Sequence, residues 1–149
     1  MIYTEAEHFI KESHNGVIRL GLGRIEELLE RLGCPQKFIH VAGTNGKGSV
    51  CAMTAEILKA AGYKTGLFTS PVISVYREQF RINGEMISEG EFVRYAEVVR
   101  NACAKMTDVP SEFEKAVALA FLYFNENRCD FVVLEVGMGG CDDATNVIE

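Results

Sequence analysis

No two cysteines form a C-x-x-C pair, and the five present (Cys34, Cys51, Cys103, Cys129 and Cys141) are odd in number. That argues against a disulfide framework and against a paired-thiol zinc site, and it fits buried or idle thiols in a reducing compartment. No stretch approaches the ~18–20 apolar residues that a membrane-spanning helix requires. The opening MIYTEAEHFIK carries acidic residues early and lacks a long apolar run, so it does not read as a secretory leader. Positive charge is also scarce: 15 Lys and Arg face 21 Asp and Glu, a net charge of −6. That leaves no basic footprint for nucleic acid or an anionic membrane. The expectation is a cytoplasmic protein with no nucleic-acid or membrane partner. Phosphate binding survives these exclusions, because one local loop can hold an anion whatever the global charge.

With 149 residues, 48% hydrophobic and 24% charged, the chain has one domain's worth of material and the make-up of a globular protein. Its organising stretch is FIHVAGTNGKGS, from Phe38 to Ser49. Phe38, Ile39, Val41 and Ala42 read as a buried strand. Gly43, Gly46 and Gly48 then let backbone N–H groups crowd together, since no Cβ obstructs a close anion. Lys47 brings a full positive charge and opens a helix, whose first turn adds unpaired N–H groups and the positive end of a dipole. Ser49 offers a hydroxyl suited to the Mg²⁺ that accompanies nucleotide phosphates. The loop Gly43-Thr44-Asn45-Gly46-Lys47-Gly48-Ser49 is therefore a phosphate cradle. It departs from the P-loop pattern G-x-x-x-x-G-K-[ST] at two points, Val41 and Gly48.

The rest alternates helices and strands. Thr4 with Glu7 predicts a capping box opening a first helix, ended by Ser13, His14, Asn15 and Gly16. His8 and His14 have no partner spacing and read as surface residues. Leu22, Ile25, Leu28, Leu29 and Leu32 recur at helical spacing, with Gly33 and Cys34-Pro35 as the stop. The helix from Lys47 to Ala61 and the strand Lys64–Thr69 complete a β-α-β unit with parallel strands. This puts the cradle at the carboxyl end of a sheet, where α/β ligand sites form. Ser70-Pro71 follows at the same end; alone, it is a turn starter. Asn83-Gly84 between FRI and EMI predicts a hairpin. Ser88 with Glu91 and Ser111 with Glu114 predict two further capped helices. Phe131–Val136 is a buried strand with Glu135 near its end. A carboxylate there is costly to desolvate unless paired, and P-loop proteins often place a Mg²⁺-serving carboxylate at that position. Glu135 is the expected metal ligand and, with Lys47, one of two expected catalytic residues. Gly137, Gly139 and Gly140 form a second glycine turn.

Several of these strings together resemble the folylpolyglutamate synthase / dihydrofolate synthase family, relatives of the Mur peptide ligases. HVAGTNGKGS carries the likeness, with Gly48 before Ser49 as the folate-ligase form. GRIEELLERLGCP, the Thr69-Ser70-Pro71 triplet, SEFE and VLEVGMGG-x-x-DATN extend it over nearly the whole chain. The resemblance implies a three-layer α/β fold of the Mur central-domain, P-loop NTPase-like type: a mostly parallel sheet flanked by helices, with a small β-hairpin insertion. It implies ATP and Mg²⁺ as cofactors, Ser49 and Glu135 on one Mg²⁺, and Ser70 with Glu135 on a second. Glu78 matches a family substrate motif, although Gln79 stands where arginine is usual, leaving Arg77 or Arg81 as substitutes. Asp143, Thr145 and Asn146 would lie around the active-site mouth. The implied reaction adds L-glutamate to a folate or dihydropteroate carboxylate through an acyl phosphate. Residues 1–149 would form the N-terminal part of the ATP-binding domain, without the rest of that domain or a C-terminal domain, and the piece alone is expected to be inactive. Three other readings stay open: another Mur-type amino-acid ligase, a generic P-loop NTPase, and a non-catalytic module that dimerises through an exposed sheet edge.

Overall fold

Short β-rich runs form the middle layer of the protein, seen here in a computed structural model that describes residues 1–12, 21–32, 38–139, 141 and 143–148. In chain order the elements are α1 (Tyr3–Lys11), α2 (Gly23–Leu32), β1 (Phe38–Val41), α3 (Lys47–Ala60) and β2 (Thr65–Phe68). A single 3-10 turn (Tyr76–Gln79) leads to β3 (Phe80–Ile82) and β4 (Glu85–Met86), followed by α4 (Glu89–Cys103), α5 (Glu112–Glu126) and β5 (Phe131–Glu135). The expected stops at Ser13–Gly16 and at Gly33-Cys34-Pro35, and the residues Gly140, Asp142 and Glu149, lie outside the described residues.

The sheet order is β1-β5-β2-β3-β4. β1 and β2 are parallel, as the β-α-β reading requires, but they are not neighbours. β5 lies between them, parallel to both, with Val41 opposite Glu135 and Phe68 opposite Leu134. The last two strands run antiparallel, β3 on β2 and β4 on β3. The expected hairpin is thus a continuation of the main sheet, and the sheet is parallel only across β1-β5-β2. Asn83 (φ 49°) and Gly84 (φ 85°) make the tight turn, as a two-residue loop with both φ values positive demands. The Asn83 side-chain oxygen also accepts the Thr65 N–H at 2.9 Å, tying the turn back to β2.

Side-chain alternation along the strands separates two cores. Ile39, Val41, Leu67 and Val133 face α3, where they meet Cys51, Ala55 and Leu58. Phe38, Phe68, Val132 and Leu134 face the other way, into a larger core built by α1, α2, α4 and α5. α5 is the centre of that core: every residue from Glu114 to Phe124 is buried. Its approach is so close that a Cβ on Gly66 would come within 2.7 Å of the Phe124 ring. The three-layer α/β fold is as expected. Cys51, Cys103 and Cys129 are buried free thiols, whereas Cys141 is exposed.

Two of the three anticipated capping boxes form. Ser88 Oγ accepts the Glu91 N–H at 3.2 Å, and Ser111 Oγ accepts the Glu114 N–H at 3.2 Å, with each glutamate returning to the serine N–H. The first does not, because α1 starts earlier and Thr4 already lies in its first turn. Glu5 instead accepts the Ile2 N–H at 3.0 Å, and Glu7 pairs with Lys11 one turn on.

Candidate functional site

β1 delivers the chain into the glycine-rich loop at the carboxyl edge of the parallel strands. Gly46 caps α3 with φ 77°, a left-handed conformation that favours glycine. The first backbone bond after it runs from Val50 N–H to Gly46 C=O at 3.0 Å. The amides of Lys47, Gly48 and Ser49 therefore sit in the unpaired first turn, at the positive end of the helix dipole. Residues 42–46 and Ser49 are exposed, and the Lys47 amine donates to the Gly43 carbonyl at 3.0 Å, folding back over its own loop.

Glu135 closes the floor of this site. Only 6% exposed, it accepts the Ser70 N–H on Oε2 at 3.1 Å. A Cβ on Gly48 would stand 3.5 Å from both of its carboxylate oxygens, so the glycine leaves that carboxylate open to the helix terminus. Lys47 and Glu135 lie on the same side of the sheet. Both charges reach the Cys51 thiol, which is pushed up to about 12 by burial first and by Glu135 next, with Lys47 pulling the other way. Three chain segments that sequence order keeps far apart thus meet: the cradle after β1, Ser70 after β2 and Glu135 at the end of β5. Exposed amides, an amine, two serine hydroxyls and a half-paired carboxylate are the donor set expected for an anion carrying a hard cation. Among the described residues no three His, Cys, Asp or Glu side chains cluster as a metal site. A cation here would complete its shell with hydroxyls, water and the anion's own oxygens.

The second glycine turn follows Glu135 directly. Gly137 packs under Phe113, whose Cζ would lie 2.7 Å from a Cβ at that position. Asp143, 6% exposed, gathers the turn: its carboxylate accepts the Met138 N–H at 2.7 Å, the Thr145 N–H at 3.0 Å and the Thr145 hydroxyl. The Thr145 oxygen lies 2.7 Å from His40 Nε2 on β1. Asn146 donates to the Cys141 carbonyl at 3.1 Å. Asp143, Thr145 and Asn146 are therefore brought together beside the site, with these polar groups holding the turn. Burial holds the His40 imidazole below its ordinary value, and the Asp143 charge opposes that shift.

Glu78 has a different setting. Its carboxylate accepts the N–H groups of Ile73, Ser74 (3.1 Å) and Val75 (3.4 Å), closing the loop that begins at Ser70-Pro71. Gln79 is buried and donates to the Tyr76 carbonyl at 3.3 Å. Neither neighbouring arginine stands apart: Arg77 donates to the Ile87 carbonyl at 2.7 Å and Arg81 to the Glu78 carbonyl at 3.0 Å. Glu114, besides its cap, receives Arg24 Nε at 3.2 Å. Sequence reasoning missed Lys115, only 2% exposed, whose amine donates to the carbonyls of Phe9 (2.7 Å) and Glu12 at the end of α1. A lone cation inside the apolar run of α5 was the available signal.

No protein-family model matches the chain. It is 41% identical to the dihydrofolate synthase/folylpolyglutamate synthase of Bacillus subtilis over 155 aligned positions, covering 99% of this chain and 36% of that one. A folylpolyglutamate synthase structure from Thermotoga maritima superposes with a TM-score of 0.91 at 43% identity, over 99% of this chain and 36% of that one. An FPGS complex with AMPPCP and folate superposes with a TM-score of 0.94 at 38% identity, over 99% and 38%. The chain therefore spans a little over a third of the length of these relatives.

The backbone amides around Glu78 hold its carboxylate below the ordinary value of 4.5, the Ile73 and Ser74 amides first. Its hold on the loop is therefore complete above pH 4.5 and is lost as pH falls through the lower folded value. The amide proton shifts of Ile73 and Ser74 should titrate with a midpoint below 4.5 and lose that step in Glu78→Gln. A midpoint at or above the ordinary value would contradict the assignment.

Proposed function

Because the chain belongs to the folylpolyglutamate synthase / dihydrofolate synthase family of the Mur ligase superfamily, matching a little over a third of the length of its longer members, we propose that it is the nucleotide-binding portion of a glutamate ligase. The ligase reaction joins L-glutamate to a folate or dihydropteroate carboxylate. ATP with Mg²⁺, when bound, supplies the phosphoryl group that turns that carboxylate into an acyl phosphate and leaves ADP. The amino group of glutamate then attacks the acyl carbon and expels phosphate, giving the amide. The observation that carries this reading is the meeting of Gly48 and Ser70 at the Glu135 carboxylate, next to the loop over which Lys47 folds.

Each residue has a role in that chemistry. The amides of Gly43 to Ser49 and the Lys47 amine bind the β- and γ-phosphates and stabilise charge that moves with the γ-phosphoryl group. To do so Lys47 leaves the Gly43 carbonyl, a short swing for a flexible side chain. Ser49 and Glu135 hold one Mg²⁺, and Ser70 with Glu135 a second. The buried position of Glu135 suits this task, since a nearby dication offsets its desolvation. Asp143, Thr145 and Asn146 shape the mouth next to the cradle, and Glu78 orders the loop that begins at Ser70-Pro71. The proposed setting is the cytoplasm, where ATP, folates and glutamate are available. Among the described residues no helix is long and apolar enough to cross a membrane.

A second reading is favoured by one surface. β1 forms a sheet edge with all four residues only partly covered, and α3 exposes Val50 (45%), Met53 (59%) and Ile57 (69%) on one stripe. An open strand edge and an apolar helix face are each templates for self-association. In that reading the chain forms a dimer across this edge and turns nothing over.

Titration calorimetry tests the first reading: the 149-residue protein should bind MgATP, and Lys47→Ala should abolish the heat. Near-normal affinity in the variant removes Lys47 from the site. With dihydropteroate, tetrahydrofolate or a UDP-muramyl acceptor, the chain alone should form no amide with glutamate. Product in the folate assays would show that it is a sufficient catalyst, and product with the muramyl acceptor would move it to another Mur-type ligase. ATP hydrolysis independent of any acceptor would favour a plain NTPase. For the second reading, sedimentation velocity should show a dimer that Ile57→Glu converts to monomer. A wild-type monomer at high concentration eliminates it.

A further inference from the structure

His40 links the strand feeding the phosphate loop to the segment that closes the second glycine turn. It lies on β1 two positions from Phe38, so alternation turns it toward the face occupied by α5, away from α3. There it meets Thr145, which is fully buried, at 2.7 Å. The Thr145 hydroxyl has a single proton, and it is directed to the Asp143 carboxylate. Its oxygen must therefore accept from the imidazole, which requires the proton of His40 to sit on Nε2. Asp143, at the far end of this chain, takes the Met138 and Thr145 amides. His40 is three residues before Gly43, and Met138 is three residues after Glu135. The two glycine turns that flank the site are thus tied together by three side chains in series, imidazole to hydroxyl to carboxylate.

We propose that His40 is a positioning residue, holding Asp143 through Thr145 and thereby setting the second glycine turn against the phosphate loop. Its importance for ligation rests on the nucleotide-binding reading, but the tie is a property of the folded chain. The alternative is that His40 merely fills space at the edge of the sheet. Leucine would satisfy that role about as well, whereas only a side chain with a donor near the position of Nε2 serves the tie. Glutamine supplies one, because its amide nitrogen reaches about as far from the backbone.

The test uses the full 149-residue protein with ¹⁵N labelling. In wild type, long-range ¹H–¹⁵N correlation should show the Nε2–H tautomer of His40, and the Met138 amide should exchange slowly. His40→Leu should raise Met138 exchange about 10-fold, while Val133 in the core strand keeps its protection. His40→Gln should restore Met138 to within about threefold of wild type. Thr145→Val, which keeps shape and loses the hydroxyl, should match His40→Leu and stands in for it should that variant fail to fold. On adding MgATP, the Gly46 amide shift reports binding, and the His40 and Met138 signals should move with it. An Nδ1–H tautomer, or Met138 exchange unaffected by His40→Leu and Thr145→Val, overturns the tie. A shift at Gly46 with His40 and Met138 unmoved overturns its coupling to the site. No Gly46 shift in wild type defeats the nucleotide reading, and tautomer and exchange then decide the tie on their own.

Discussion

Everything at the carboxyl edge of the sheet depends on β5 running parallel between β1 and β2. Strand pairing fixes Val41 opposite Glu135 and Phe68 opposite Leu134, so the last residue of β5 must emerge between the two loops that leave its neighbours. A carboxylate in that position loses most of its water and needs compensation. The Ser70 amide gives part of it, and the space left by Gly48 gives the rest a direction, toward the open helix terminus. The site is thus a by-product of register: shifting β5 by one residue would turn Glu135 to the opposite face and leave the cradle with no acid beneath it.

The parts of this arrangement written in local sequence were legible. The glycine-rich loop before Lys47 announces a helix start, Asn83-Gly84 a tight hairpin, and Ser88 and Ser111 two capped helices, and each is decided within a few residues of chain. Glu135 stood out because a charge at the end of FVVLEV has few reasons to be there. The strand order was not legible in the same way. Nothing in the link from β1 through α3 to β2 says that a strand some sixty residues later will come between them, because that choice is made by burial over the whole sheet. The same holds for the hairpin, which reads as an insertion but finds β2's free edge and extends the sheet.

Polar side chains were harder to place, for a physical reason. A carboxylate or hydroxyl can serve a ligand or the protein's own backbone, and composition does not distinguish the two. Glu78 closes a loop on three amides, Asp143 gathers the second turn, and Glu114 unites a helix cap with Arg24. Lys115 follows the same logic at the end of α1, where carbonyls left over by the helix accept a buried cation. In each case the side chain's visible partners are the protein's own backbone and side-chain groups. Such side chains are found only once the backbone groups they satisfy are known.

The contact between Gly137 and Phe113 carries a consequence for how this surface can vary. With the ring 2.7 Å from where a Cβ would sit, the first residue of the second turn and the opening turn of α5 form one steric unit. A smaller group at 113 would open a void and free 137 to carry a side chain; enlarging 137 alone would drive the turn away from the helix. The two positions are therefore constrained to change together, and a helix on the far side of the sheet dictates the contour of a loop that it never joins in sequence.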